Sequence, residues 1–171
     1  MTHPSMSNFG ALALTKISVA AKATAAGTGD NTETDGASVD RQQSGAAGST
    51  VGNSMAQSAK FVLFGQAVLQ DTKTAVFKPT IQHSTTTTAG DFADVADALQ
   101  PGGAAATTRL TLTGSTGGTT ETGAYEWNFD CTSLNRYLRA QVLIDLNASG
   151  TDTGFYCAGF ILGGFGITPV S

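Results

Sequence analysis

The chain offers few side chains with which chemistry could be done, and their spacing supports little of it. There are two histidines, His3 and His83, in 171 residues. Neither has a second histidine or a cysteine pair at metal spacing beside it, so a zinc site is not expected. No Ser-His-Asp or Cys-His set for nucleophilic catalysis can be drawn. Asp91, Asp94 and Asp97 would line up at i, i+3, i+6 on a helix, and paired carboxylates can serve as general acid and base. Nothing around them indicates burial or a cleft, so they read as solvated charges. Asp145-Leu146-Asn147-Ala148-Ser149-Gly150 imitates the start of a calcium loop. Its twelfth position is Tyr156, where a bidentate Glu is needed, so a polar hairpin turn is the better expectation. The run from Gly159 to Gly166 lacks a following Lys-Ser/Thr and opens no helix, so it is not a phosphate loop. Asn147-Ala148-Ser149 is a glycosylation sequon, which matters only in a secreted protein. No enzyme activity, cofactor or metal is therefore expected.

The elements that would position these residues are strands. In Tyr125-Glu126-Trp127-Asn128-Phe129-Asp130-Cys131 apolar and polar residues alternate throughout, the signature of a half-buried strand. Leu138, Ala140, Val142, Ile144 and Leu146 alternate in the same way. Shorter versions run through Thr108, Leu110 and Leu112, and through Ala75, Phe77, Pro79 and Ile81. Pro79 has no N–H to give to a ladder, which predicts a sheet edge or a bulge there. Residues 61–70 and 155–162 are apolar on both faces, which predicts central strands or a face covered by another chain. Cys131 and Cys157 both fall in strands, where a lone cysteine acts as a small buried hydrophobe. Turn-forming Gly, Asn, Asp and Ser residues fill 114–123 and 147–153. Only 91–99 suggests a short helix, and an irregular loop fits it equally. The expected fold is all-β: an antiparallel, jelly-roll-like β-sandwich over 58–171.

Composition agrees. Charged residues are only 13%, against about 25% in a typical domain. The chain holds 26 Thr, 25 Ala and 21 Gly. Nine Lys and Arg against thirteen Asp and Glu make no basic patch, so nucleic acid is not an expected partner. No apolar run reaches the roughly 18 residues of a membrane helix. No Lys or Arg precedes Lys16 and the apolar stretch Phe9 to Leu14 is short, so a secretion signal is not expected. Residues 1–57 read as an N-terminal strand followed by an extended, low-complexity arm. From Ala21 to Gln57 the only sizeable apolar residues are Val39, Val51 and Met55, too few to offset the ordering entropy of that length. It is either a solvated linker or an arm that orders on a neighbouring subunit.

Three blocks then resemble a known group. Ile81-Gln82-His83-Ser84, a polar turn and Asp91-Phe92-Ala93-Asp94-Val95-Ala96-Asp97-Ala98 resemble a segment of small tailed-phage and prophage structural proteins. There a strand ending in Gln-X-Ser leads through a polar turn to Phe-X-Asp-Val. Asn135-Arg136-Tyr137-Leu138-Arg139-Ala140-Gln141-Val142, followed by a Gly/Thr turn and an apolar last strand, is similar to a second segment, Lys/Arg-Arg-Tyr-Val/Leu-Arg. Val39-Asp40-Arg41-Gln42 ahead of the strand Lys60 to Gln66 is a third, weaker match. The matches run from residue 39 to about 165, and depart at the 42–57 insertion and the extension before Val39.

The resemblance implies a non-enzymatic virion component of the head-decoration, or cement, type. Such a protein is assembled in the bacterial host cytoplasm and sits on the capsid surface. There it clamps neighbouring capsomers of the major capsid protein and associates with itself, most simply as a trimer. Candidate subunit or capsid contacts are Arg136 and Arg139 of the matched block, Phe160, Leu162 and Phe165 of the last strand, and Val39 and Val51 of the arm. The alternative is a tail, neck or fibre component, including a β-sandwich that binds host glycan. Tyr125, Trp127 and Phe129 share a face that reads as core, which counts against a sugar platform.

Overall fold

A computed structural model describes residues 14–25, 31–43, 54–146 and 151–165. In chain order the strands are β1 (Leu14–Ala25), β2 (Glu33–Asp35), β3 (Val39–Asp40), β4 (Gln42–Gln43), β5 (Ser54–Met55), β6 (Ser58–Leu69), β7 (Thr74–Ser84), β8 (Ala93–Asp94), β9 (Leu110–Thr113), β10 (Thr119–Asp130), β11 (Tyr137–Leu146) and β12 (Thr153–Gly163). One sheet runs β1-β12-β6-β10. The second runs β2-β11-β7-β8, with β3 added to β11 and β9 to β7, and β4 and β5 form a separate pair. The pairings within both sheets are antiparallel. The protein is an antiparallel β-sandwich.

The alternation seen in the sequence builds the core. Phe61, Leu63, Ala67 and Leu69 of β6 and Tyr156, Ala158, Phe160 and Leu162 of β12 point inward. They meet Leu138, Ala140, Val142, Ile144 and Leu146 of β11 and Ala75, Phe77 and Ile81 of β7. Phe160 packs against Phe61 at 5.8 Å and edge-on to Phe129 at 6.2 Å, and Phe77 meets Tyr156 edge-on at 6.0 Å. Such tilted ring pairs contribute about 0.5–1.5 kcal/mol beyond burial. Two glycines make this packing possible. A Cβ on Gly154 would lie 2.2 Å from Ile144 Cδ1, and one on Gly65 2.8 Å from the Phe77 ring.

Pro79 sits in a gap on one side of β7. It pairs with Val142 of β11 on the other side. On the gap side β9 reaches only Phe77 and β8 only Gln82 and His83. Two residues along, the Ile81 N–H faces the same gap and donates to Gln100 Oε1 at 2.8 Å. Gln100 Nε2 returns a bond to Ile81 O at 2.9 Å. A fully buried side-chain amide thus takes the place of a neighbouring strand. The missing N–H of Pro79 falls where no ladder bond is made, as its chemistry requires. The 91–99 segment is the irregular alternative, with 3₁₀ turns at Ala89–Asp91 and Asp97–Leu99 around β8.

The described parts of the N-terminal segment order on their own chain. β1 forms one edge of the first sheet, and β2 and β3 extend the second. Backbone hydrogen bonds join Asn31 to Ile144, Gly36 to Ala140, Ala37 to Ser18 and Arg41 to Arg136. These ladder bonds, with buried Val19 and Val39, supply the anchoring that apolar content alone could not. Val51 lies outside the described residues.

Candidate functional site

The chemically richest cluster is buried and structural. Arg41 lies between β3 and β4 and is only 1% exposed. Its guanidinium donates from Nε to Asn135 O at 2.9 Å and from Nη1 to Ala56 O at 2.9 Å. Nη1 also donates to Cys131 O, and Nη2 to Leu134 O. Four backbone carbonyls thus hold the fork, tying residues 41 and 56 to the turn after β10. Burial pushes the Cys131 thiol up to about 11, and the Arg41 charge opposes that rise only in part. Nearby, His83 Nδ1 accepts the Asn135 N–H at 3.1 Å. Burial first, and the Arg41 charge second, hold the imidazole below its ordinary value. A thiol kept protonated and an imidazole occupied by a backbone donor are poor catalysts.

The aspartates do not converge. Asp91, Asp94 and Asp97 are exposed. Asp91 accepts from Thr86 Oγ1 at 2.5 Å and Asp94 from Gln82 Nε2 at 2.8 Å. Among the described residues no group of three His, Cys, Asp or Glu side chains is placed to hold a metal.

The two outer faces of the sandwich differ in kind. On the second sheet, Asp35, Arg139, Gln82 and Asp94 form a polar row across β2, β11, β7 and β8. Arg139 donates to Gln82 Oε1 at 2.6 Å, pairs with Asp35 at 3.2 Å and stacks on Phe92 at 4.5 Å. Gln141 reaches Asp35 at 2.7 Å, and Lys78 pairs with Asp145 at 3.1 Å. This face is finished against water.

The outer face of the first sheet is not. Paired residues of antiparallel strands share a face, so the rows can be read across the sheet. One row is Ile17, Gly159, Val62 and Glu126. The next holds Cys157, Phe64 and Ala124, and the one after it Ala23, Phe155, Gln66 and Thr122. The last holds Ala25, Thr153, Val68 and Thr120. Ile17 is 69% exposed, Phe64 55%, Val68 49% and Phe155 44%. The charged residues at its border include Lys60 and Glu126, which pair with each other at 2.8 Å. Four strands about 4.8 Å apart and about eight residues of about 3.3 Å rise give a face of about 500 Å². About two-thirds of its positions are apolar or small, the rest being Gln66, Thr120, Thr122, Thr153 and Glu126.

The sequence-predicted contacts separate accordingly. Arg136 lies at the surface, where its Nε and Nη2 grip Asp40 at 3.0 and 2.6 Å and its guanidinium lies 5.1 Å from the Tyr137 ring centre. The Arg136 guanidinium holds the Asp40 carboxyl below its ordinary value. Arg139 is buried in the polar row. Phe160, Leu162, Phe165 and Val39 are buried in the protein's own core, so they offer no surface to a partner. The outward residues of the last strand are Phe155, Cys157 and Ile161. A two-sided apolar strand does not reveal which set faces out. Tyr125, Trp127 and Phe129 point inward, as the alternation predicts, with only Phe129 fully buried. Both cysteines are free, Cys131 in the core and Cys157 half-exposed on the apolar face.

No family model and no curated protein matches this chain. Among solved structures it is similar to the Clostridium thermocellum N-terminal endo-1,4-β-D-xylanase 10B, CBM22-1–GH10 modules complexed with xylohexaose. The identity is 11% and the TM-score 0.32, and the match covers 94% of this chain and 27% of that one.

Proposed function

We propose that this protein is a non-enzymatic decoration, or cement, protein of a tailed-phage head. In this reading it binds the assembled shell of major capsid protein from outside and holds neighbouring capsomers together. The observation that supports it is the contrast between the two outer faces: one is sealed by ion pairs and amide bonds, the other presents Ile17, Phe64, Val68 and Phe155 to water. A protein whose output is adhesion needs such a face and needs no catalytic group. Binding to the assembled shell and not to its dissociated subunits stabilises the shell by mass action. The block resemblance adds weight from the sequence side.

The test uses heads lacking the protein, to which purified protein is added back. Wild-type protein is expected to co-sediment with the heads and raise their thermal disruption temperature. Phe64→Lys combined with Phe155→Lys removes two half-exposed rings from the contact. At about 1–1.5 kcal/mol each, half the value for fully burying a Phe, affinity falls roughly 30- to 150-fold, while the circular dichroism of the free protein is unchanged. Heads equally heat-resistant with and without the protein would overturn the proposal. So would unaltered binding by the double variant.

A further inference from the structure

The first sheet ends in two strands of unequal character. β1, at one edge, is interrupted by register shifts between Ile17 and Val19 and between Val19 and Lys22. Its Ser18 O also accepts the Ala37 N–H at 2.7 Å. Irregularity and an added bond are ways in which natural sheets blunt an edge. β10, at the other edge, has neither. Its 12 residues pair one for one with β6 from Thr119–Leu69 to Asp130–Ser58, without a bulge. It contains no proline and no lysine. Among the described residues, no other strand and no loop backbone bonds to the amides and carbonyls along its free side. Such an edge is about 40 Å long. A full antiparallel partner would give it about a dozen hydrogen bonds, as many as a typical protein interface carries.

We propose that β10 pairs with the β10 of a second copy about a two-fold axis, making one eight-stranded sheet from two chains. Three observations select this occupant. The neighbouring pairings in the sheet are antiparallel, and a strand meeting its own copy across a two-fold axis is antiparallel by symmetry. Among the described residues the sheet's other edge is β1, which is blunted, so head-to-tail addition of β1 to β10 is disfavoured. A two-fold contact also closes on itself, where a head-to-tail contact would propagate.

The third observation is the side-chain pattern. Even-numbered residues of β10 face outward and odd-numbered ones inward. Opposed residues must share a face, so the register must oppose like parity. Centring the axis on Ala124 opposes Ala124 to Ala124, Thr122 to Glu126 and Thr120 to Asn128. On the inner side it opposes Glu121 to Trp127. No carboxylate then faces a carboxylate, although the strand carries Glu121, Glu126 and Asp130. The smallest residues, Gly123 and Ala124, stand at the axis where the two chains meet.

This inference concerns the free protein and does not rest on the shell reading. It is tested by sedimentation equilibrium on the purified chain without heads. The wild type, 17.3 kDa per chain, is expected at about twice that mass. Ala124 is exposed and points outward, so a charge there leaves the core intact, which circular dichroism verifies. Ala124→Lys and Ala124→Glu each set like charges opposite one another at the axis, and each alone is expected to weaken the dimer by up to about fivefold. An equimolar mixture of the two variants is expected to recover the dimer, because Lys then faces Glu. Recovery on mixing cannot come from misfolding of either variant. A wild type that stays monomeric at hundreds of micromolar overturns the proposal. A trimer overturns it too, as does a dimer that both substitutions leave unchanged or that mixing does not restore.

Discussion

Replacing Arg41 by Met removes a buried cation and strands the carbonyls of Ala56, Cys131, Leu134 and Asn135 that it holds. Among the described residues no carboxylate pairs with this guanidinium. The hydrophobic stem is kept, so the loss is that of the fork. A stranded buried acceptor costs about 1–3 kcal/mol. Four of them would exceed the protein's margin if nothing relaxed, but the turn after β10 is near the surface and water can reach part of it. With two of the four carbonyls left dry the loss is about 2–6 kcal/mol, and about 3–5 kcal/mol is the middle of that range. It is a fifth or more of the total stability of an ordinary domain, about 5–15 kcal/mol. At 2–4 °C per kcal/mol for a chain of this size, the melting temperature falls by about 6–20 °C. Arg41→Lys presents three donors from a single point and cannot reach four carbonyls on a plane, so it recovers only part of the loss.

Urea and thermal unfolding of the two variants measure this. A second readout separates the guanidinium from general loosening. The Arg41 charge contributes to holding His83 below its ordinary value, so His83 should titrate higher in Arg41→Met and remain near wild type in Arg41→Lys. An Arg41→Met protein within 1 kcal/mol of wild type (a bound set by the smallest cost of one stranded acceptor) would refute the idea that this side chain ties the N-terminal segment to the sandwich.

Two further outcomes follow from the same cluster and the face beside it. Under native conditions a thiol reagent should modify one cysteine per chain, Cys157, and leave Cys131 untouched, because Cys131 is fully buried with its thiol pushed up to about 11. Denaturant should expose both, and mass spectrometry counts them. His83 has a folded-state value lowered by burial and by Arg41. Its neutral form is therefore favoured by folding, so its contribution is fully present above the unfolded value of about 6.5. That contribution is lost as pH falls from there through the folded value. Unfolding midpoints should decline between pH 7 and 5, and a His83→Gln variant should lack that step.

How far the sequence reveals this fold depends on how far the inward-outward phase can be carried from strand to strand. β10 and β11 announce it themselves, because polar residues occupy most of the alternate positions, Ala124 and Leu143 being the exceptions beside Tyr137. β6 and β12 do not, being apolar on both faces over much of their length. The paired rows supply what is missing. Trp127 opposes Phe61, and Phe61 opposes Phe160, so the inward side of β10 fixes that of β6 and then of β12. Register across strands is tertiary information, absent from any one strand, and without it Phe160 and Leu162 cannot be told from Phe155 and Ile161. Arg41 was invisible for a different reason. A lone arginine in a polar run has the composition of a solvated residue, and only the carbonyls gathered from two distant segments, at Ala56 and at 131–135, make it a buried one.

The same rows explain why the outer apolar face is a feature to be accounted for and not a by-product of strand propensity. β-Branched and aromatic residues favour strands on either side of a sheet, and that preference alone could place Phe64 or Val68 outward. It would act equally on the second sheet, whose outward positions on β11 and β7 hold Arg139, Gln141, Asp145, Lys78 and Gln82 in bonded pairs beside Tyr137, Leu143 and Val76. One chain under one set of propensities has therefore tied one face together with ion pairs and amide bonds and left Ile17, Phe64, Val68 and Phe155 exposed on the other. Exposing rings of this size carries an aggregation hazard, and burying each half-exposed ring is worth about 1–1.5 kcal/mol. An outer surface made this way gains stability only in company, and the unblunted β10 edge beside it is the most direct place for that company to begin.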